Sequence, residues 1–287
     1  MILLFGSTGY IGSEFKKQLT KQNIKFICWE KTRQTSFDQL QNLLKYQKIS
    51  IAINAAGYTG KPNVDACEKN KDETFYGNVL WPHLLSQWCS LNNIKLLHIS
   101  SGCIYTGNTL DKNGFTEKDE PNFTFKQNNC SFYSGTKALA EQTVLLNEKT
   151  YICRLRIPFE NKNNSRNYIS KLLKYPKLLN AENSCSNKKD FVRACLELYQ
   201  KEVPYGIFNI VNGGSITTEE IVNKLKKTIA KNKQFKIIND IEFYSSCASA
   251  PRSNCVMSNK KILDYGINMD NIHDSFDKCL NEWIENE

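Results

Sequence analysis

The sequence predicts an α/β fold, a doubly wound parallel sheet followed by a smaller C-terminal part, and three observations carry that expectation. Short apolar runs of strand length alternate with helical patterns across the first half of the chain. A glycine-rich turn joins the first run to the first helical pattern. The rhythm then changes at Pro158, dividing an N-terminal domain over residues 1–157 from a C-terminal part over 158–287.

Ile2 to Phe5 reads as a short buried strand, and Tyr10 to Gln22 places Ile11, Phe15 and Leu19 on one helix face. Ile24 to Trp29 is the second strand, completing a βαβ unit. Phe37, Leu40, Leu43 and Leu44 mark a second helix, followed by a strand over Ile49 to Ile53. Val79 to Leu91 is expected to be a helix, Ile94 to Ile99 a strand, Tyr133 to Leu146 a helix and Tyr151 to Ile157 the fifth strand. Beyond Pro158, helices are expected near Ile169 to Tyr175 and Phe191 to Gln200, and Gly206 to Val211 reads as a strand returning to the main sheet. Thr217 and Glu220 have the spacing of a capping box ahead of Ile221, Leu225 and Ile229, and an amphipathic helix ends near Trp283.

The chain has 287 residues, 40% of them hydrophobic and 23% charged, enough for a sizeable core and without a disorder signature. The formal charge of +9 comes largely from scattered lysines rather than a clustered stripe, which favours small phosphorylated ligands over nucleic acid. No apolar run approaches the roughly 18 residues needed to span a bilayer, and the first residues lack the pattern of a signal peptide. No membrane partner is therefore expected, and the location expected is the cytoplasm. Eleven cysteines without a C-x-x-C pair suit a reducing compartment, and His83, His98 and His273 are too scattered to form a metal set.

Gly6-Ser7-Thr8-Gly9-Tyr10-Ile11-Gly12 follows the first strand and opens the first helix. Its glycines allow a tight turn and close approach to a pyrophosphate, which the helix N-terminus favours electrostatically. A Rossmann-type dinucleotide site is the expectation, with Gly6, Thr8, Gly9, Tyr10, Ile11 and Gly12 as cofactor-binding residues. At the end of the second strand, Lys31 and Arg33 beside Glu30 tilt the choice to NADPH over NADH, because a guanidinium grips a 2′-phosphate; exposed loop charges are the equal alternative. Tyr133 and Lys137 form a Y-x-x-x-K on a helix, one turn apart on one face. An ammonium there favours the phenolate, suiting the tyrosine to proton transfer at a carbonyl or alcohol.

Combined with Asn54-Ala55-Ala56-Gly57 at the end of the third strand and Ser100-Ser101 at the end of the fourth, these elements resemble the extended short-chain dehydrogenase/reductase family. The resemblance makes Ser101, Tyr133 and Lys137 the expected catalytic triad, and adds Asn54, Ala55, Ala56, Tyr133 and Lys137 to the cofactor site. The stretches NAAGYTGKPNVDACE, SSGCIY, GFTEKDEPNF, FYSGTKALAE, RLRIPF, RNYISKLLKY and APRSNC narrow the likeness. They are similar to the plant bifunctional UDP-4-keto-6-deoxyglucose 3,5-epimerase/4-reductases, which make UDP-L-rhamnose, and to the related bacterial dTDP-4-dehydrorhamnose reductases.

That likeness implies that Cys103 is the base that removes protons beside the C4 ketone and Lys171 the acid that returns them; a packed thiol and a solvated helix lysine are the alternatives. It also implies substrate contacts from Asn78, Ser101, Arg166, Asn167 and Arg252. Gly102 and Cys103 stand where dehydratases of the family carry an acidic pair, so a separate 4,6-dehydratase is expected to supply the 4-keto nucleotide sugar. Two alternatives remain open: a reductase without epimerase activity, and a non-catalytic regulator like the regulatory subunit of methionine adenosyltransferase. A homodimer is compatible with the sequence, which does not fix the oligomeric state.

Overall fold

The computed structural model describes residues 1–30 and 35–285, so Lys31 and Arg33 lie outside the described residues. Ile2–Phe5 (β1) is buried along its whole length because both faces of the sheet are covered. Ile2 and Leu4 face one core with Phe15 and Leu19 of Gly12–Lys21 (α1), while Leu3 and Phe5 face the other. This two-residue alternation explains why the run is uniformly apolar. Phe26–Trp29 (β2), Ile51–Asn54 (β3), Lys95–Ser101 (β4) and Thr150–Leu155 (β5) continue the sheet.

The second core packs Phe37–Leu44 (α2), Trp81–Leu91 (α3) and Phe132–Val144 (α4) against the sheet through Leu40, Trp81, Leu85, Trp88 and Val144. Trp88 is completely buried in this core. The expected helix over Val79 to Leu91 starts earlier in the structure. Lys71–Phe75 is already helical, and a π turn over Tyr76–Leu80 joins it to α3. The π turn shifts the phase of the apolar positions, which hides the helix start from a 3.6-residue pattern.

Strand β5 ends at Leu155 rather than Ile157, because Ile157 takes φ +34, outside the extended region. The chain then forms Tyr168–Lys174 (α5) and Lys188–Gln200 (α6). Gly206–Asn209 (β6) pairs in parallel with β5, two residues shorter than the expected strand. The six-stranded sheet has the order β6-β5-β4-β3-β1-β2, with every pairing parallel. Helix α6 covers the same face as α1 through Phe191, Val192 and Cys195, so part of the C-terminal half completes the N-terminal sheet.

The remainder forms a smaller lobe. Thr218–Lys227 (α7), Asp240–Ser246 (α8) and Ile272–Asn281 (α9) join three short two-stranded ladders there, counted among the described residues. The expected capping box is present: Thr217 Oγ1 accepts from Glu220 N at 3.2 Å, and Glu220 Oε2 accepts from Thr217 N at 2.8 Å. The lobe has its own core, in which Phe159 stacks on Phe276 at 4.1 Å. Connections leave β1 and β3 in opposite directions along the sheet, opening a crevice at the carboxyl ends of the strands. The small lobe roofs that crevice.

Candidate active site

The first wall of the crevice is the glycine turn. Gly6 has φ +75, and a Cβ on it would lie 2.7 Å from the backbone nitrogen of Ala56. A Cβ on Gly12 would stand 1.9 Å from the carbonyl oxygen of Gly6. Both positions therefore require glycine, and their close packing brings Gly9, Tyr10 and Ile11 to the edge of the cleft beside Ala55, Ala56 and Gly57. No side chain caps the start of α1, and the buried Ser7 hydroxyl has no partner among the described residues. An anionic diphosphate can satisfy such free donors, so the turn fits a nicotinamide dinucleotide.

Asn54 works behind this wall rather than in it. Its Oδ1 accepts from Ala56 N at 3.2 Å and from Trp81 Nε1 at 3.2 Å, and its Nδ2 faces His98 Nδ1 at 3.1 Å. Burial first, and Lys137 second, hold His98 well below its usual range, leaving a neutral ring that accepts from Asn54.

Helix α4 supplies the second wall. Ser131 caps it by accepting from Ser134 N, which orients the first turn and with it Tyr133. Tyr133, Ser101 and Lys137 all line one cleft of about 840 Å3. Burial raises the Tyr133 phenol above its ordinary value and the Cys103 sulfur adds to this, while a hydrogen bond with Ser101 and the charge of Arg156 oppose it. Lys137 donates to the Ile99 carbonyl at 2.9 Å. Burial, rather than the expected pull of the ammonium, therefore dominates, and Tyr133 stands as a protonated donor.

Burial also pushes Lys137 down to about 8, against the opposing influence of Glu141 and Cys103. Its ordinary value is 10.5, so between these two pH values the unfolded chain holds a proton that the folded protein has lost. Stability from this group accordingly rises with pH across that window, by about 3 kcal/mol in all. Lys137→Met should remove the rise and increase the thermal midpoint near neutral pH, while reduction is lost. Thermal midpoints of both proteins measured from pH 7 to 11 check this; a constant difference would show that Lys137 is not desolvated.

Beneath α4, Glu141 accepts from Ser100 Oγ at 2.5 Å and from Arg154 Nη2 at 2.8 Å. Arg154 also donates to the Tyr105 hydroxyl at 2.9 Å. The Ser100–Glu141–Arg154 set ties the ends of β4 and β5 to α4, fixing Ser101 relative to Tyr133. The ion pair is satisfied at both ends, as a buried ion pair must be to avoid a large desolvation cost.

Ser101 caps a single 3-10 turn over Gly102–Ile104, its hydroxyl accepting from Cys103 N at 3.2 Å. That turn presents the half-buried Cys103 to the cleft. Arg156, at the end of β5, donates from Nη1 to Cys103 Sγ at 3.1 Å. Lys171 and Arg166 line the same cleft. Burial lowers Lys171, Arg166 and Arg252 add to this, and Cys103 works the other way. An ammonium held low in this manner gives up a proton readily.

The other expected substrate contacts fare differently. Arg252 lines the cleft with its guanidinium on Asp65 at 2.7 Å, joining the small lobe to the start of the short helix Asp65–Lys69. Asn78 lines it too, but its amide accepts from Tyr58 N at 2.8 Å and donates to Tyr58 O at 2.9 Å, so it shapes the adjacent loop. Asn167 is corrected outright. It is fully buried as the cap of α5, with Oδ1 accepting from Ile169 N and Nδ2 donating to the carbonyls of Glu160 and Lys162. Thr8 is exposed at the tip of the glycine turn.

Sequence reasoning missed Arg156. Two arginines two residues apart on a buried strand were the available signal, since each buried cation needs a partner. Among the described residues there is no cluster of His, Cys, Asp or Glu able to hold a metal and no helix long and apolar enough to cross a membrane.

Comparison with known proteins agrees with this geometry. The model of the RmlD substrate binding domain matches residues 1–284. A trifunctional UDP-glucose 4,6-dehydratase/UDP-4-keto-6-deoxy-D-glucose 3,5-epimerase/UDP-4-keto-L-rhamnose-reductase of Arabidopsis thaliana is 33% identical over 287 residues, 98% of this chain and 42% of that protein. The chain thus spans about two-fifths of the length of that relative. A bifunctional dTDP-4-dehydrorhamnose 3,5-epimerase/dTDP-4-dehydrorhamnose reductase of the same plant is 32% identical, covering 88% of this chain and 83% of that protein.

Among solved structures, a UDP-rhamnose synthase from Acanthamoeba polyphaga mimivirus shares the fold at TM-score 0.88 and 23% identity, covering 98% of each chain. A dTDP-4-dehydrorhamnose reductase from Bacillus anthracis in complex with NADP does so at TM-score 0.80 and 19% identity, covering 98% of this chain and 97% of that one. NADPH is consistent with this family. With the family model matching residues 1–284 and a relative 32% identical across 88% of this chain and 83% of that protein, the chain belongs to the RmlD substrate binding domain family.

Proposed function

We propose that this protein is an NADPH-dependent 3,5-epimerase/4-reductase that converts UDP-4-keto-6-deoxy-D-glucose to UDP-L-rhamnose. The observation that carries the proposal is the presence in one cleft of a reductase set, Ser101, Tyr133 and Lys137, and an acid-base pair, Cys103 and Lys171. The 4-reductase half is supported by the names of the plant relatives. Intact Ser101, Tyr133 and Lys137 favour an enzyme over a non-catalytic regulator.

The Cys103 thiolate takes the proton at C5, and in a second cycle the proton at C3. Each time an S–H bond forms, the C–H bond breaks and its electron pair moves onto the C4 oxygen as an enolate. The Ser101 hydroxyl and Tyr133 phenol stabilise that oxygen. Lys171 delivers a proton to carbon from the opposite face, inverting the centre, and before the second cycle solvent water takes the proton from Cys103 and returns one to Lys171. When bound, NADPH supplies the hydride that reduces C4. Tyr133 protonates the C4 oxygen, and Lys137 would hold the nicotinamide ribose. The cytoplasm, a reducing compartment, suits a cysteine that must stay a free thiol.

A 4,6-dehydratase acts first, because the 4-keto-6-deoxy sugar is the product of that reaction class. The uridine sugar is favoured by the trifunctional relatives, whereas the bifunctional relative supports a thymidine sugar as the second reading. Supplying the protein and NADPH with each 4-keto sugar, without an added epimerase, decides between them. The expected result is UDP-L-rhamnose formed at the higher kcat/KM. Product only from the dTDP sugar reverses the base preference, and no product unless an epimerase is added refutes the bifunctional proposal.

A further inference from the structure

Arg156 is 2% exposed, yet the groups acting on its charge, after burial itself, are sulfurs: Cys255, Cys103 and Cys185. Arg154, two residues earlier and inside β5, is paired with the Glu141 carboxylate at 2.8 Å. Arg156 instead spends Nη2 on two neutral acceptors, Ser253 O at 2.6 Å and Asn183 Oδ1, and directs Nη1 to Cys103 Sγ at 3.1 Å. A buried cation surrounded by neutral acceptors is costly unless an anion completes the set. Burial raises the Cys185 and Cys255 thiols, so these two remain neutral. Cys103 is the half-exposed sulfur of the three and sits on the cleft.

The position of Arg156 is also built into the backbone. Its own N–H donates to Ser186 Oγ at 3.1 Å, and the next residue, Ile157, is a β-branched residue at φ +34. Such a conformation is strained and persists only where the surroundings impose it. The anchors at Asn183, Ser186 and Ser253 come from two segments of the small lobe, and together they leave the guanidinium one direction to point.

We infer that Arg156 is the positioning residue of the epimerising half-site: its buried guanidinium donates to the Cys103 sulfur, aims it into the cleft and is the counter-cation of the sulfur when it acts as base. This rests on the reading of Cys103 as the base. The step it serves is balanced within the site, because the sulfur gains the carbon-bound proton while the electron pair passes to the C4 oxygen, with no oxidant or reductant required. As Cys103 becomes a thiol, Arg156 loses its anion, and the new charge appears on the substrate oxygen near Tyr133. The ionisable groups facing Cys103 are Arg156, Tyr133, Lys137, Lys171 and Cys255, so the pH behaviour of the sulfur is read in variants that change Arg156 alone.

Two readouts test this on the full-length protein. The first is hydrogen exchange at C3 and C5 of UDP-4-keto-6-deoxyglucose in heavy water as a function of pH. The second is the rate at which iodoacetamide alkylates Cys103 at neutral pH, read by peptide mass, with the exposed Cys247 as an internal control. Arg156→Gln is expected to slow both by about 10- to 100-fold, the size of a lost charge-assisted hydrogen bond, with exchange partly recovered at higher pH and Cys247 unaffected. Arg156→Lys, which keeps the charge, is expected to fall between the two and carries the test if the Gln variant does not fold. Folded variants with wild-type alkylation of Cys103 and an unchanged pH profile overturn the inference. Wild-type exchange in Cys103→Ala overturns instead the reading of Cys103 as the base, while the alkylation rates still report on Arg156.

Discussion

Tyr133→Phe should slow reduction at C4 by about 10²- to 10⁴-fold, the usual contribution of a positioned general acid, while leaving NADPH affinity close to that of the unaltered protein. The phenol is raised by burial, so it enters the reaction protonated and its removal takes away the proton that the C4 oxygen receives. The ring itself remains to pack against the cleft wall, and Lys137 keeps its bond to Ile99. Single-turnover oxidation of NADPH with the 4-keto sugar measures the loss, and fluorescence titration measures cofactor binding. A variant that reduces within tenfold of the unaltered protein would move the acid to another residue, with Ser101 the nearest alternative. Exchange at C3 and C5 should persist at a reduced rate, because Ser101 still faces the enolate oxygen.

The second large effect is expected from Gly12→Ala. A single added carbon would stand 1.9 Å from the Gly6 carbonyl oxygen, a backbone atom that cannot swing aside. Gly6 cannot retreat either, since it already packs against the backbone of Ala55 and Ala56 with φ +75. The turn must therefore open, at a cost of about 1–3 kcal/mol, and NADPH binding should be lost because the turn shapes the edge of the cleft. Denaturant unfolding and cofactor titration check the two parts separately. Gly9→Ala is the milder comparison, as its Cβ would meet the Gly6 oxygen at 3.2 Å. Equal NADPH affinity in all three proteins would show that this turn is not the diphosphate site.

Much of this architecture was legible in the sequence for simple reasons. A strand buried on both faces must be apolar throughout, which exposed β1 and β3 to inspection, and the glycine turn and Tyr133-Lys137 spacing follow from backbone packing and helix geometry. What escaped was whatever lacked a period or acted through long-range pairing. The ladders over Lys177–Leu179 with Lys236–Ile238 and Glu182–Asn183 with Ile216–Thr217 are too short to alternate visibly. Helix α8 has no buried residue and therefore no apolar stripe.

At the site, the resemblance implied Cys103 and Lys171 as an acid-base pair but could not show that Arg156 reaches the sulfur from the end of β5. Asn167 and Asn78 carried the right chemistry for a ligand and were spent on the chain's own backbone, because an amide with two polar ends suits a buried cap as well as a sugar hydroxyl. The basic excess finds a use in the cleft, where Lys137, Arg156, Arg166, Lys171 and Arg252 gather. That concentration suits a dinucleotide and a nucleotide diphosphate sugar.

The central claim is that one cleft both epimerises and reduces, and hydrogen exchange without cofactor tests it most directly. The protein is incubated in heavy water with UDP-4-keto-6-deoxy-D-glucose alone, with neither NADPH nor an epimerase, and the sugar is analysed by mass and by the position of the label. The prediction is one deuteron at C3 and one at C5, with neither appearing when Cys103 is replaced by alanine. A protein that reduces 4-keto-L-rhamnose but takes up no deuterium, or a Cys103→Ala variant that exchanges at the full rate, would contradict it.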